Sequence, residues 1–312
     1  MSLKLKYFVY DVFTTTPFSG NPLAIVHIPA SASIQQEQKQ AIAKEFNLSE
    51  TTFVHEESGS SSQSIFRTDI FTIHAELPFA GHPTVGTGFH LLSNHESGDI
   101  TLRIKAGDTL VIRSDDEGGA VRLQVPVDFK VHPVLKVDKL ISYQARLSAT
   151  DDFKDSQATA IASIVKGMNF FLLEVNSVDA LGRMNTYPET ISVPSAHMGA
   201  WSSSQSDTDN PFVYVYTVLS GNETTTKIRA RMFGWAGFED PATGSAACTL
   251  GGYLALKKGK GKWRFEITQG VEMGRQSEIA VVAEIDDGDV VKSVQLEGGA
   301  VKVMEGVLNI DA

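Results

Sequence analysis

One pattern occurs twice in this 312-residue chain. Aligned from Glu76 and from Glu239, the stretches ELPFAGHPTVGTGFHLL and EDPATGSAACTLGGYLA match. Glu76 meets Glu239, Pro78 meets Pro241, Gly81 meets Gly244, His82 meets Ser245 and Gly88 meets Gly251. Each copy follows a strand-like segment carrying arginine, SIFRTDIF or KIRARMF. Glycine and proline recur in loops by chance, yet chance explains the shared order of acid, proline, glycine and apolar helix poorly. The offset far exceeds a solenoid period. It predicts an α+β fold of two pseudo-symmetric domains, each a strand-rich barrel or roll around a central buried helix, with an active site in the cleft between them. The closing GGAVKVMEGVLNI parallels GGAVRLQVPV at 118–127, so the last strand is expected back in the first domain. The expected domains are residues 1–128 with 299–312, and residues 129–298.

Runs such as KYFVYDVF, LAIVHI, TTFVHE and FVYVYTVL, bounded by Gly, Asn and Asp, read as strands. SIQQEQKQAIAKEF reads as a helix with Ile34, Ala41, Ile42 and Phe46 near one face. Two short, richly apolar helices are expected to begin near Pro83 and Ser245. The polar stretches KLISYQARLSATDDFKDSQATAIASIV and VPSAHMGAWSSSQSDTDNP read as insertions, the second as a surface loop.

Composition limits the partners. Apolar content of 42% and charged content of 21% are ordinary for a globular protein. A formal charge of −10 argues against a nucleic acid or an anionic membrane surface as partner. The single cysteine, Cys248, allows neither an intramolecular disulfide nor a cysteine-type zinc site, which fits a reducing compartment. The amino-terminal stretch reads as a first strand, because Asp11 interrupts its apolar run and no small-residue cleavage signal follows. No run approaches the roughly 18 apolar residues of a membrane span. A cytoplasmic location is expected.

The helix starts hold the chemistry. A helix amino-terminus leaves four backbone N–H groups unpaired and carries roughly half a positive charge. Glycine lets a ligand approach that backbone, so Gly81-His82 and Gly244-Ser245 can each hold a carboxylate or phosphate. Packing alone would account for the small residues inside these helices, but it accounts poorly for His82, Asp240 and Ser245. A Walker loop is absent, GHPTVGTG lacks the Rossmann spacing, and there is no HExxH metal motif. A hydrolase triad of Ser245, His82 and Asp240 is conceivable, although TGSAA is not a Gly-x-Ser-x-Gly elbow.

With YDVFTTTPFSGNPLAIV, FNLSETTFV, ELPFAGHPTVGTG, EDPATGSAAC and ITQGVEMGRQSEI in this order, nearly the whole chain resembles the phenazine-biosynthesis PhzF-like family, within the diaminopimelate-epimerase-like fold. The resemblance implies cofactor-free isomerase chemistry, no metal, and a homodimer. It departs from the wider fold in one respect. The racemases and epimerases that fold includes use two cysteines, one at each helix start, whereas Ala80 and Thr243 stand there here. The family pattern puts the proton carrier at Glu50 of NLSETTFV, with Leu48 and Phe53 as its expected apolar setting. Read from the residues alone, Glu50 is a solvated or capping acid, as glutamates in that setting usually are.

Asp240 is expected to accept hydrogen bonds from a substrate amine or hydroxyl and to share in proton transfer, or else to cap a helix beginning near Pro241. Gly244 and Ser245 would hold the substrate carboxylate, with Gly81 and His82 opposite; a neutral His82 would alternatively be a tether. Asn21 is a turn residue by default, and the family pattern makes it substrate-binding. Arg275 could balance an anion. The reading that results is an isomerase moving a proton between carbons of a small carboxylate-bearing substrate, with Glu50, Asp240 and His82 catalytic. A non-catalytic carboxylate-binding protein and a serine hydrolase are the alternatives.

Overall fold

The computed structural model describes residues 3–57, 64–96, 98–114, 119–202, 207–234 and 237–310. Its chain divides into two units, residues 1–124 with 296–312, and residues 125–295.

The first unit begins with β1 (Leu3–Val12) and β2 (Asn21–Ile28), an antiparallel pair. Helix α1 (Gln36–Phe46) carries the chain to β3 (Glu50–His55), which lies parallel to β2; a parallel neighbour requires such a crossover. Then follow β4 (Ile65–Phe71), the short β5 (Glu76–Leu77), α2 (Gly81–Ser93), β6 (Asp99–Ile104), β7 (Gly107–Arg113) and β8 (Val121–Gln124). Strands β3 and β4 are antiparallel, β4 and β6 are parallel with α2 between them, and β6 and β7 are antiparallel.

The second unit runs through β9 (Lys130–Leu135), α3 (Asp138–Ser142), β10 (Thr159–Ser163), β11 (Asn169–Glu174) and α4 (Val178–Arg183). After β12 (Val193–Pro194), α5 (Ser195–Met198) and β13 (Thr208–Asp209) come β14 (Phe212–Gly221), β15 (Thr225–Phe233) and β16 (Glu239–Asp240). Helix α6 (Gly244–Lys258), β17 (Gly261–Gln269) and β18 (Ser277–Ile285) follow, and β19 (Val291–Gly298) crosses from the second unit into the first. The chain ends in β20 (Ala300–Ile310), which pairs antiparallel with β1 and so belongs to the first unit.

Each unit runs the same pairing series. In the second, β10 and β11 are antiparallel, β11 and β14 parallel, β14 and β15 antiparallel, β15 and β17 parallel across α6, and β17 and β18 antiparallel. The duplicated segment occupies the same place in both: a two-residue strand opening on Glu76 or Glu239, then a helix opening on Gly81 or Gly244. Both helices are buried through most of their length. The matched glycines show why. A Cβ on Gly88 would stand 2.7 Å from Val111 Cγ1, and one on Gly251 would stand 2.7 Å from Val281 Cγ1.

Two expectations need correction. Of the face expected for α1, Ile34, Ile42 and Phe46 pack, half-buried, against the cluster holding Ala43, Phe53 and Phe71, while Ala41 is exposed and Lys39 is buried instead. The face is set by an ion pair: Lys39 Nζ lies 2.5 Å from Asp69 Oδ2, which His55 Nε2 also approaches at 2.7 Å. The stretch read as a polar insertion from Lys139 to Val165 ends in β10, whose five residues are all buried between β9 and β11. Of the second stretch, residues 203–206 lie outside the described residues. No helix among the described residues is long and apolar enough to cross a membrane.

Candidate active site

Asn47 ends α1 in the left-handed conformation (φ 51°), its N–H on the Ala43 carbonyl, and the chain turns directly into β3. Glu50 is therefore the first residue of β3, as Asn21 is the first of β2. Leu23 pairs with Glu50 across these parallel strands, so Asn21 and Glu50 share one end of the pair. Alternation sends Glu50 and Thr52 to the same face. Thr52 Oγ1 lies 2.9 Å from Thr87 Oγ1, so that face looks onto α2. Glu50 Oε2 accordingly stands 3.5 Å from Nδ1 of His82, the second residue of α2. Phe53 does not provide the setting expected from sequence. It faces the other way, into a cluster with Ala43 and Phe71.

The Glu50 side chain is 17% exposed and that of His82 only 6%. Burial pushes the imidazole down to about 3, against a weaker opposing pull from the Pro22 backbone. His82 is thus neutral at pH 7, with one ring nitrogen a donor and the other an acceptor. Its ring also hydrogen-bonds to the Pro22 backbone. Its Nε2 is buried without a hydrogen-bond partner. Asn21 is buried beside this group, and Ser49, which sequence reasoning passed over, donates its hydroxyl to Asn21 Oδ1 at 3.4 Å. No side chain caps α2 after Ala80, and Gly81 itself is buried.

In the second unit Asp240 closes β16 opposite Met232 and is 8% exposed. The helix it was expected to cap begins not near Pro241 but at Gly244, with Thr243 as N-cap and no side-chain cap. Instead, Thr243 donates its hydroxyl to Asp240 Oδ2 at 2.5 Å. Gly244 and Ser245 are buried at the helix start, and Ser245 offers its carbonyl to the Thr249 hydroxyl at 2.8 Å. Arg275 is half-buried, its backbone N–H bonded to the Gly270 carbonyl. Cys248 is fully buried within α6, and burial pushes its thiol up, so it is a core residue.

The structure therefore groups Asn21, Glu50, Gly81 and His82 in one unit and Asp240, Gly244 and Ser245 in the other. A model of the PhzC-PhzF family, phenazine biosynthesis-like proteins, matches residues 10–306. The chain belongs to the PhzC-PhzF family. Among PhzC-PhzF relatives, an uncharacterized isomerase of Mesorhizobium japonicum is 31% identical over 98% of this chain and 99% of its own. The trans-2,3-dihydro-3-hydroxyanthranilate isomerase of Pseudomonas aeruginosa is 30% identical over 96% of this chain and 98% of its own. A Bacillus anthracis phenazine biosynthesis protein of the PhzF family has the same fold, at a TM-score of 0.78 with 24% identity, covering 98% of this chain and 99% of that one. The mixed, strand-rich architecture with few helices is thus that of the PhzF proteins.

Proposed function

We propose that this chain is an isomerase that moves a proton between carbons of a small carboxylate-bearing substrate, with Glu50 as the proton carrier. The observation that carries this reading is the neutral, buried His82 standing 3.5 Å from the Glu50 carboxylate, at an uncapped helix start. Isomerase names among relatives at about 30% identity support the reaction class. The two units are read as a pseudo-symmetric pair, each wrapped around its buried helix.

In the proposed reaction the Glu50 carboxylate takes a proton from an acidified C–H. The electron pair left behind delocalises toward the substrate carboxylate; the proton held on Glu50 exchanges with solvent, and Glu50 delivers a proton to a different carbon, shifting the double bond. His82 Nδ1 stands beside Glu50, and its Nε2, buried without a partner, takes a polar group of the substrate. Within each unit, the amides at the helix start (at Gly81, or at Gly244 with the Ser245 hydroxyl) are assigned to a carboxylate or other polar group of a substrate. Donors aimed at developing charge are often worth about 3–4 kcal/mol in the transition state. Asp240 accepts from a substrate amine or hydroxyl, and Asn21 orients the Glu50 end. The reaction as written needs no metal or organic cofactor. Homodimeric assembly and a cytoplasmic location belong to the same proposal; light scattering at twice the chain mass checks the first, and localisation of a tagged chain checks the second.

The experiment compares wild type with Glu50→Gln and Asp240→Asn on trans-2,3-dihydro-3-hydroxyanthranilate and a set of short β,γ-unsaturated acids in deuterated water. Deuterium in substrate carbon with wild type, and loss in Glu50→Gln with binding retained, is the expected result. Binding without exchange in wild type would make this a carboxylate-binding protein. Covalent labelling of Ser245 by a fluorophosphonate would make it a hydrolase.

A further inference from the structure

The turn between β16 and α6, Asp240 to Thr243, is held by one side chain from the end of β17. Gln269 is fully buried. Its Nε2 donates to the Asp240 carbonyl at 2.8 Å and to Thr243 Oγ1 at 3.1 Å. Its Oε1 accepts from the Thr243 N–H at 3.3 Å and from the Tyr214 hydroxyl at 3.1 Å. Asp240 O can only accept and Thr243 N–H can only donate, so the amide has one possible orientation. Every hydrogen-bonding position of the side chain is thereby committed.

This fixes the next bond as well. Thr243 Oγ1 receives a hydrogen from Gln269, so its own single hydrogen goes to Asp240 Oδ2 at 2.5 Å. Gly270 completes the hold by close packing. Its φ of +73° is left-handed, and a Cβ there would stand 2.6 Å from the Pro241 carbonyl oxygen and 2.4 Å from that of Arg275. The Gln269-Gly270 pair thus holds the turn that carries Asp240 and leads into α6.

We propose that Gln269 is a positioning residue for the candidate site: through Thr243 it orients the Asp240 carboxylate for a substrate hydroxyl or ammonium group. The inference rests on the isomerase reading for its substrate, but not for its geometry. A purely structural glutamine would stiffen the turn without directing the carboxylate.

The test uses Gln269→Leu, Thr243→Val and Thr243→Ser in the full chain, with two readouts. The first is the side-chain carboxyl 13C resonance of Asp240 in aspartate-labelled protein, assigned by its disappearance in Asp240→Asn. Gln269→Leu and Thr243→Val are expected to move it, and Thr243→Ser, which keeps the hydroxyl, to leave it in place. The second is kcat/KM on trans-2,3-dihydro-3-hydroxyanthranilate, expected to fall about tenfold or more in the first two variants, as for loss of a hydrogen bond to a charged group, and less than about twofold in Thr243→Ser. If Gln269→Leu does not fold, Thr243→Val against Thr243→Ser decides alone. An Asp240 resonance unmoved in Thr243→Val overturns the proposal, whatever the activity. Absence of turnover in wild type counts against the isomerase reading, and the resonance then decides for Gln269.

Discussion

Glu50 and His82 show what a single residue's address does for its chemistry. A glutamate at the start of a strand is ordinarily solvated; here the pleat turns it toward α2 and a buried imidazole. The family motif singled out Glu50 in the sequence; the Phe53 expected beside it is an odd number of residues away and faces the opposite side. His82 was visible as an oddity at a helix start, and its neutrality emerged only from burial. Replacing His82 with Phe is expected to lower exchange about tenfold to a hundredfold while preserving the fold, since the imidazole supports Glu50 and does not carry the proton to carbon. Rates from deuterium incorporation check this. Thr243 and Gln269 had no sequence signal beyond their place in the motifs, because their roles depend on a turn brought against the end of a distant strand.

At the scale of elements, the paired helices were the legible part, and small residues at close approach are why they recur. Gly88→Ala, and separately Gly251→Ala, should each destabilise the fold. Forcing a methyl against a valine costs about 1–3 kcal/mol, partly offset by about 1 kcal/mol of helix propensity. Urea unfolding of each variant measures the balance; a gain in stability would contradict the packing described. Helix α1 was legible in most of its apolar face but not in its buried lysine, for a physical reason. A lysine in the middle of an amphipathic helix is normally on the wet side, but Lys39 turns inward to a buried carboxylate. Burial alone would raise the Asp69 carboxyl, and the hydrogen bonds from His55 and Lys39 win, holding it at about 2. Lys39→Met should therefore cost about 3–5 kcal/mol, because it leaves that buried carboxylate with a partner missing.

The whole molecule carries a pH signature. His82 and His90 are both pushed down to about 3 by burial, from an ordinary value of 6.5. The unfolded chain therefore binds these protons first as pH falls. Stability from the neutral rings is fully present above about pH 6.5 and is lost between there and about pH 3, amounting to about 2 kcal/mol for each ring by pH 5. The Asp69 contribution goes next, between 3.8 and about 2. Urea midpoints that stay level from pH 7 to pH 5 would contradict the buried, neutral histidines. At this scale the two glycine-opened helices were readable from their segments, whereas strands such as β10 hid behind polar flanks. The central claim is that one carboxylate in this strand-rich fold carries the proton, and deuterium NMR of substrate incubated with enzyme in deuterated water tests it most directly. Wild type should place one deuterium on the newly protonated carbon, and Glu50→Gln none; deuterium arriving at an undiminished rate with Glu50→Gln would contradict it.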